Sequence, residues 1–395
     1  MKIKKKAMLK FLILAGVGLA ALSYTRIDHQ GEAQKTTKVA TVTPNQKPVG
    51  APKQVQRIVT LGDSITDGET FQLLWRQALR EARRPMPIIV NAGVSGDTAA
   101  MMLARLDRDV LAHKPDMVTI MAGTNDALRG VTPERYEAEV AAIAEKIGAG
   151  GAQMLFITPP TYGPAHVAAE PTLLAYEAAL KRIAKKHNAR IADFHALMLA
   201  AQKEKRAVIT PDDVHLELAG YKVMVRTVLD ALGDNDVKVP KKFEPALMPG
   251  IIASWQMRAM AEATPLDEKT VLDARPDATW KTVALPETTP QDSWWPESER
   301  KRGFAMSINK TVGEGMLYQG VAYLDEAKAR TVYFNTGAEL QTIWLNGKQI
   351  YKNEKWTGWH AGKERIKADL QAGRNSVVIE AGSQFFLSIT PTNNW

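Results

Sequence analysis

The sequence predicts an α/β domain, a parallel sheet between two helical layers, followed by a smaller all-β domain. Three observations predict it. Between Arg57 and Gly233, short apolar runs alternate with segments of helical periodicity. Three of those runs end in a polar, glycine-bearing cluster. Beyond Gly250 the helical pattern gives way to short β-type runs, and eight of the nine tryptophans fall there. Strands buried on both faces and alternating with helices are the pattern of a parallel sheet in a three-layer sandwich.

The chain has 395 residues, 45% of them hydrophobic, enough for two ordinary domains. It opens with a lysine cluster (Lys2, Lys4, Lys5, Lys6, Lys10) and twelve apolar residues from Phe11 to Leu22. Ala21-Leu22-Ser23 then places small residues at the −3 and −1 positions of an export signal cleaved after Ser23. A comfortable membrane span needs about 20 apolar residues, so an uncleaved anchor is the lesser alternative. Those lysines supply five of the eight surplus positive charges. The remaining three argue against nucleic acid as a partner. Zero cysteines exclude a disulfide framework, so an exported protein must rest on packed cores. Residues 24–55, rich in Lys, Thr, Gln and Pro, lack apolar periodicity and are expected to form a flexible tether.

Taken in order, strands are expected at Ile58–Leu61, Pro87–Val90, Met117–Met121 and Met154–Ile157, and a weaker one at Arg190–Asp193. Each is a short β-branched or apolar run closed by turn residues. Helices are expected at Glu69–Arg84, Thr98–Ala112, Pro133–Ile147, Pro171–His187 and Leu216–Leu232. In the first, Phe71, Leu74, Trp75, Ala78 and Leu79 recur at helical spacing. Residues 234–250 are charged and proline-punctuated and predict a linker. Residues 251–395 predict a β-sandwich, jelly-roll-like, with strands at Thr331–Phe334, Leu340–Leu345, Gln349–Tyr351, Ser376–Ile379 and Phe385–Ile389. Asn346-Gly347 between two of these is a strong hairpin signal.

Polar clusters mark where chemistry is to be sought. Gly62-Asp63-Ser64 follows the first strand, Asn91 to Asp97 the second, and Gly123-Thr124-Asn125-Asp126 the third. Ligands of open parallel sheets bind at the carboxyl ends of the strands, so the three should share one crevice. A fourth cluster, Pro211-Asp212-Asp213-Val214-His215, precedes the last helix. Taken alone, Asp63 or Ser64 reads equally well as a helix cap. Asp63 and Asp97 are expected to be caps or structural acceptors, and Asp67 and Asp126 to shape the pocket. The other histidines show no metal-ligand spacing, and no metal or cofactor is implied.

Together these blocks resemble the SGNH hydrolases of the GDSL esterase/lipase family, over roughly residues 57–233. Ser64 matches the nucleophile of the Gly-Asp-Ser-Ile block, Gly96 the glycine of the second block, and Asn125 the asparagine of the third. Asp212 and His215 match the final Asp-x-x-His. Asp213 departs from the pattern, since the family commonly has glycine there, and is expected to alter the loop rather than abolish catalysis. The resemblance implies a flavodoxin-like sheet, a Ser64-His215-Asp212 triad, and an oxyanion hole from the backbone N–H groups of Ser64 and Gly96 and the Asn125 amide. The residue types suit that chemistry: a serine hydroxyl needs a base within reach, and an imidazole needs a carboxylate to hold its tautomer.

The hairpin at Trp344-Leu345-Asn346-Gly347-Lys348 and the turn Leu370 to Asn375 look like β-sandwiches related to galactose-binding modules. Trp294, Trp295, Trp356 and Trp359 lie in polar stretches and are the candidate sugar platforms; tryptophans elsewhere in the sandwich are expected in its core. The resulting expectation is an exported serine esterase removing acyl groups, chiefly acetyl, from a polysaccharide or glycan. A lipid ester or thioester hydrolase, a peptidoglycan O-acetylesterase, and a glycan-binding protein with an inactive hydrolase domain stay open.

Overall fold

A computed structural model describes residues 55–243, 245, 247–260, 276–285, 302–303, 307–353 and 364–392. The expected export signal, nearly all of the tether, and Trp294, Trp295, Trp356 and Trp359 lie outside them.

Five parallel strands form the first sheet: β1 (Arg57–Gly62), β2 (Ile88–Gly93), β3 (Met117–Ile120), β4 (Gln153–Ile157) and β5 (Arg190–Ala192), in the order β2-β1-β3-β4-β5. That order is the flavodoxin-like one, with a switch point between β1 and β3. Successive residues of β1 face opposite layers. Val59 and Leu61 pack under α3 (Ala99–Asp109), α5 (Pro133–Ala149) and α6 (Glu170–Lys186). Ile58 packs under α2 (Thr70–Glu81), α7 (Phe194–Lys203) and α8 (Leu218–Leu232). Removing such side chains from water contributes about 1.5–3 kcal/mol each. The five periodic residues of α2 are all buried.

Two short helices and α7 were not legible. α1 (Ser64–Asp67) and α4 (Thr124–Leu128) are single turns sitting at the carboxyl ends of β1 and β3. They are too short for a period to show. Four of ten α7 residues are buried, and only its Asp193 cap, which accepts from the Ala196 N–H at 3.2 Å, marks its start.

The second half is antiparallel: β6 (Ser254–Met260), β7 (Lys281–Ala284), β8 (Leu317–Glu326), β9 (Arg330–Leu345), β10 (Lys348–Lys352), β11 (Glu364–Leu370) and β12 (Gly373–Thr390), with one turn of helix, α9 (Asn309–Val312). The order is β10-β9-β12-β8-β6-β7, with β11 also on β9. Two pairs of runs read separately in the sequence are halves of the long strands β9 and β12, joined through irregular register at Glu380, Ala381 and Phe385. Side chains of both halves, Phe334 and Leu387 with Ile343 and Ile379, share one core. Asn346 and Gly347 have φ of 50° and 81°, as a tight hairpin between β9 and β10 requires. Of the tryptophans here, Trp255, Trp280 and Trp344 are buried.

Residues 234–250 join the two sheets without forming a free linker. Val237 is fully buried against the α2/α8 layer and Met248 is nearly so. The Met248 N–H donates to the Arg302 carbonyl at 2.9 Å. Gln54–Trp395 accordingly forms one compact unit.

Candidate active site

The site begins where β1 stops. Gly62 and Gly93 are register partners at the ends of β1 and β2, and α1 lies directly across them. A Cβ on Gly62 would stand 2.1 Å from Thr66 Oγ1, and one on Gly93 2.2 Å from the Asp67 nitrogen. Close backbone approach is the reason for both glycines, since neither has positive φ. Asp63 is the N-cap of α1, accepting from the Ile65 N–H at 3.1 Å, which leaves Ser64 as the first helical residue. Buried Gln72 of α2 donates to Thr60 Oγ1 and to the Thr66 carbonyl, both at 2.9 Å, locking α1 between strand and helix.

The three clusters interlock. Asp67 Oδ2 accepts from the Ser95 N–H at 2.9 Å and its hydroxyl at 2.8 Å. Asn125 Nδ2 donates to the Asp97 carbonyl at 3.1 Å. Gly96, at φ +83°, is thereby held from both sides in a conformation that suits glycine. Asp126 accepts from the Ala99 N–H at 3.0 Å. Asp97 is an acceptor rather than a cap; Thr98 caps α3, and Asp97 pairs with buried Arg105 at 2.5 Å.

Arg105 was not singled out in the sequence. It also pairs with Asp109 at 3.2 Å and donates to the Gly62 carbonyl at 3.1 Å. One guanidinium thus ties the end of β1, the Gly96 loop and α3 together. The i,i+4 spacing of Arg105 and Asp109 was the available signal.

His215 arrives from a loop pinned at both ends. Ile209 bridges Leu216, and Thr210 donates its N–H to the His215 carbonyl at 2.9 Å. Asp212 Oδ1 accepts from the Thr210 hydroxyl at 2.6 Å and from the His215 and Val214 N–H groups at 2.9 and 3.0 Å. Asp212 Oδ2 lies 2.6 Å from His215 Nδ1, and His215 Nε2 lies 2.9 Å from Ser64 Oγ. Asp213 adopts φ +63°, which accounts for glycine being commonly found there and for Asp being tolerated. Its carboxylate accepts from the Ala165 N–H at 2.9 Å, so the departure changes the rim of the loop and leaves Asp212 and His215 in place.

Three carboxylates around Ser64 have divergent electrostatics. Burial alone would raise the Asp212 carboxyl. Hydrogen bonds from Thr210, from the His215 and Val214 amides and from the imidazole instead hold it well below the usual carboxylate range. Asp212 therefore stays charged through the neutral and mildly acidic range and keeps Nδ1 protonated. Burial pushes the Asp63 carboxyl up to about 6, opposed by the Ile65 amide and by its proximity to His215. Burial does the same to Asp126, also to about 6.

A pH prediction follows from Asp63. Above about pH 4 the unfolded chain releases a proton that the folded chain keeps until about pH 6. Stability therefore falls as pH rises through that window and levels off above it. Asp126 adds a decline of the same sign. Asp63→Asn, which preserves the cap, is expected to flatten part of this decline. Urea unfolding midpoints at intervals between pH 4 and 7 check it; equal slopes in both proteins would contradict it.

Among the described residues no group of three or more His, Cys, Asp or Glu could hold a metal ion. His195 is buried, with Nε2 3.0 Å from Glu170.

Residues 60–223 match the family model described as the GDSL-like Lipase/Acylhydrolase family. Over 84 residues the chain is 43% identical to Esterase TesA of Pseudomonas aeruginosa, covering 20% of this chain and 42% of that protein. Over 111 residues it is 32% identical to Thioesterase 1/protease 1/lysophospholipase L1 of Escherichia coli, covering 27% and 53%. It is 29% identical to the Acetylxylan esterase of Geobacillus stearothermophilus over 206 residues, covering 45% and 94%. The chain thus spans about half the length of the first two relatives and nearly all of the third.

Proposed function

We propose that the protein, whose residues 60–223 match the GDSL-like lipase/acylhydrolase family model, is an exported serine esterase that removes O-acetyl groups from a polysaccharide or glycan. The observation that carries this reading is the continuous hydrogen-bonded chain Ser64–His215–Asp212, at 2.9 and 2.6 Å.

In this mechanism Ser64 Oγ attacks the ester carbonyl carbon while His215 Nε2 takes its proton. Asp212 stabilises the imidazolium that forms. The carbonyl oxygen becomes an oxyanion, held by the N–H groups of Ser64 and Gly96 and by the Asn125 amide. As the C–O bond breaks, the leaving sugar hydroxyl recovers the proton from His215. The acyl-serine is then opened by a water that His215 deprotonates, releasing acetate and regenerating Ser64. Asn125→Ala is expected to lower kcat by about 100- to 1,000-fold with a smaller change in KM, as loss of one oxyanion donor does. Steady-state kinetics on an acetyl ester check it.

The acetyl-glycan substrate is supported by the near full-length match to a relative named an acetylxylan esterase. The C-terminal sheet is assigned the role of holding that glycan, as a galactose-binding-like module would. The name of the Escherichia coli relative favours a second reading, hydrolysis of lipid esters or thioesters. Acetate release from acetylated polysaccharides, acetylated peptidoglycan and a lysophospholipid separates the two. Preference for long acyl chains, with no acetate released from any glycan, would replace the first reading by the second.

A further inference from the structure

A cavity of about 240 Å3 lies beside α2 and β2, lined also by Phe243, Pro245, Leu247 and Pro249 and by Arg302 and Arg365. Among the described residues its wall carries four arginines, Arg76 and Arg80 from α2 together with Arg302 and Arg365, and one carboxylate, Glu69. Glu69 pairs with Arg302. Arg302 is only 5% exposed, and its Nε is buried with no hydrogen-bond partner. Among the described residues no carboxylate lies within ion-pair distance of Arg76 or Arg80. Burial lowers the Arg76 pKa, and the charges of Arg302 and Arg80 lower it further, with Glu69 opposing. Burial likewise brings the Arg365 pKa down to about 10.

Buried charge and unmet donors are costly unless an opposite charge meets them. A guanidinium fork matches an oxyanion through paired hydrogen bonds. Leu73, Ile89, Phe243 and Leu247 add apolar surface to the same cavity. We propose that this cavity binds a small organic carboxylate, its charged end among Arg76, Arg302 and Arg365 and its body against the apolar surface. Glu69 shows that the Arg302 fork accepts a carboxylate. The apolar surface favours an organic acid over inorganic phosphate. The volume lies below the roughly 300 Å3 at which drug-sized sites begin, so the ligand is compact, at most about the size of a monosaccharide acid. The proposal does not depend on what Ser64 attacks.

Isothermal titration of the full chain with benzoate, glucuronate, inorganic phosphate and neutral benzyl alcohol tests it. Saturable one-site binding of a carboxylate is expected, weaker binding of phosphate, and none of the alcohol. Arg76→Gln, at a partly buried residue, is expected to weaken carboxylate binding by roughly tenfold or more, the loss of one charge-assisted hydrogen bond. Arg302→Gln is expected to do the same where it folds. Glu69→Gln is expected to tighten binding severalfold by removing the internal competitor. Absence of saturable carboxylate binding, affinity unchanged in Arg76→Gln, or phosphate binding tighter than both carboxylates would each overturn the proposal.

Discussion

Replacing Ser64 with alanine is expected to reduce ester turnover by on the order of 10^5- to 10^6-fold while leaving the fold intact. The substitution removes one oxygen, and the bond from that oxygen is to His215 Nε2, at 2.9 Å. The cap of α1 is supplied by Asp63, and α1 is held by Gln72 through the Thr66 backbone, so among the described residues no scaffold hydrogen bond depends on the hydroxyl. Unfolding free energy should change by less than about 0.5 kcal/mol, as at sites outside packed cores and caps. His215→Asn should be comparably inactive, and the double variant should lose little more, because the two groups act as one unit. Single-turnover acetate release together with chemical unfolding checks both halves. Turnover that survives Ser64→Ala would assign the chemistry to another group.

Arg105→Met is expected to be the most destabilising single change near the site, by about 3–5 kcal/mol. Asp97, 8% exposed, would lose the guanidinium that pairs with it in the interior, while Asp109, 3% exposed, would keep only its pair with Arg108. The Gly62 carbonyl would lose its donor as well. Because the same guanidinium joins β1 to the Gly96 loop, kcat should fall along with stability. Arg84, paired with Asp236 on the surface at 41% and 74% exposure, provides the contrast. Removing that pair should cost less than about 1 kcal/mol, since water and salt screen it. Urea denaturation of the two variants measures the difference directly. If Arg105→Met matched Arg84→Met in cost, the buried triad would not be what holds this corner.

The α/β layers were legible because their signals are local. Phe71, Leu74, Trp75, Ala78 and Leu79 state the buried face of α2 within nine residues, and each strand was announced by a run of four or five. The single-turn helices α1 and α4 were not legible, yet they carry Ser64 and Asn125. α1 lies against Gly62 and Gly93 at the strand ends, and α4 starts from Gly123, at φ +123° beside Tyr136 and Tyr176, contacts no period reports. In the second half the bends within β9 and β12 concealed that four short runs were two long strands. The residue types of the candidate site were legible as clusters at strand ends; Arg105 was hidden among ordinary helical charges.

The sequence by itself determined the layered class, the hairpin at Asn346-Gly347 and the residue types gathered behind Leu61, whose side-chain chemistry and spacing are properties of short segments. Only the tertiary structure decided which of them meet. Ser64 and His215 are 151 positions apart and Glu69 and Arg302 are 233 apart. The entropic cost of closing such loops rises only with the logarithm of their length, so separation along the chain says little about contact. Packing of α1 across β1 and β2, and of residues 234–250 against the α2 layer, is what brings a hydroxyl under an imidazole at one place and four arginines around a cavity at another.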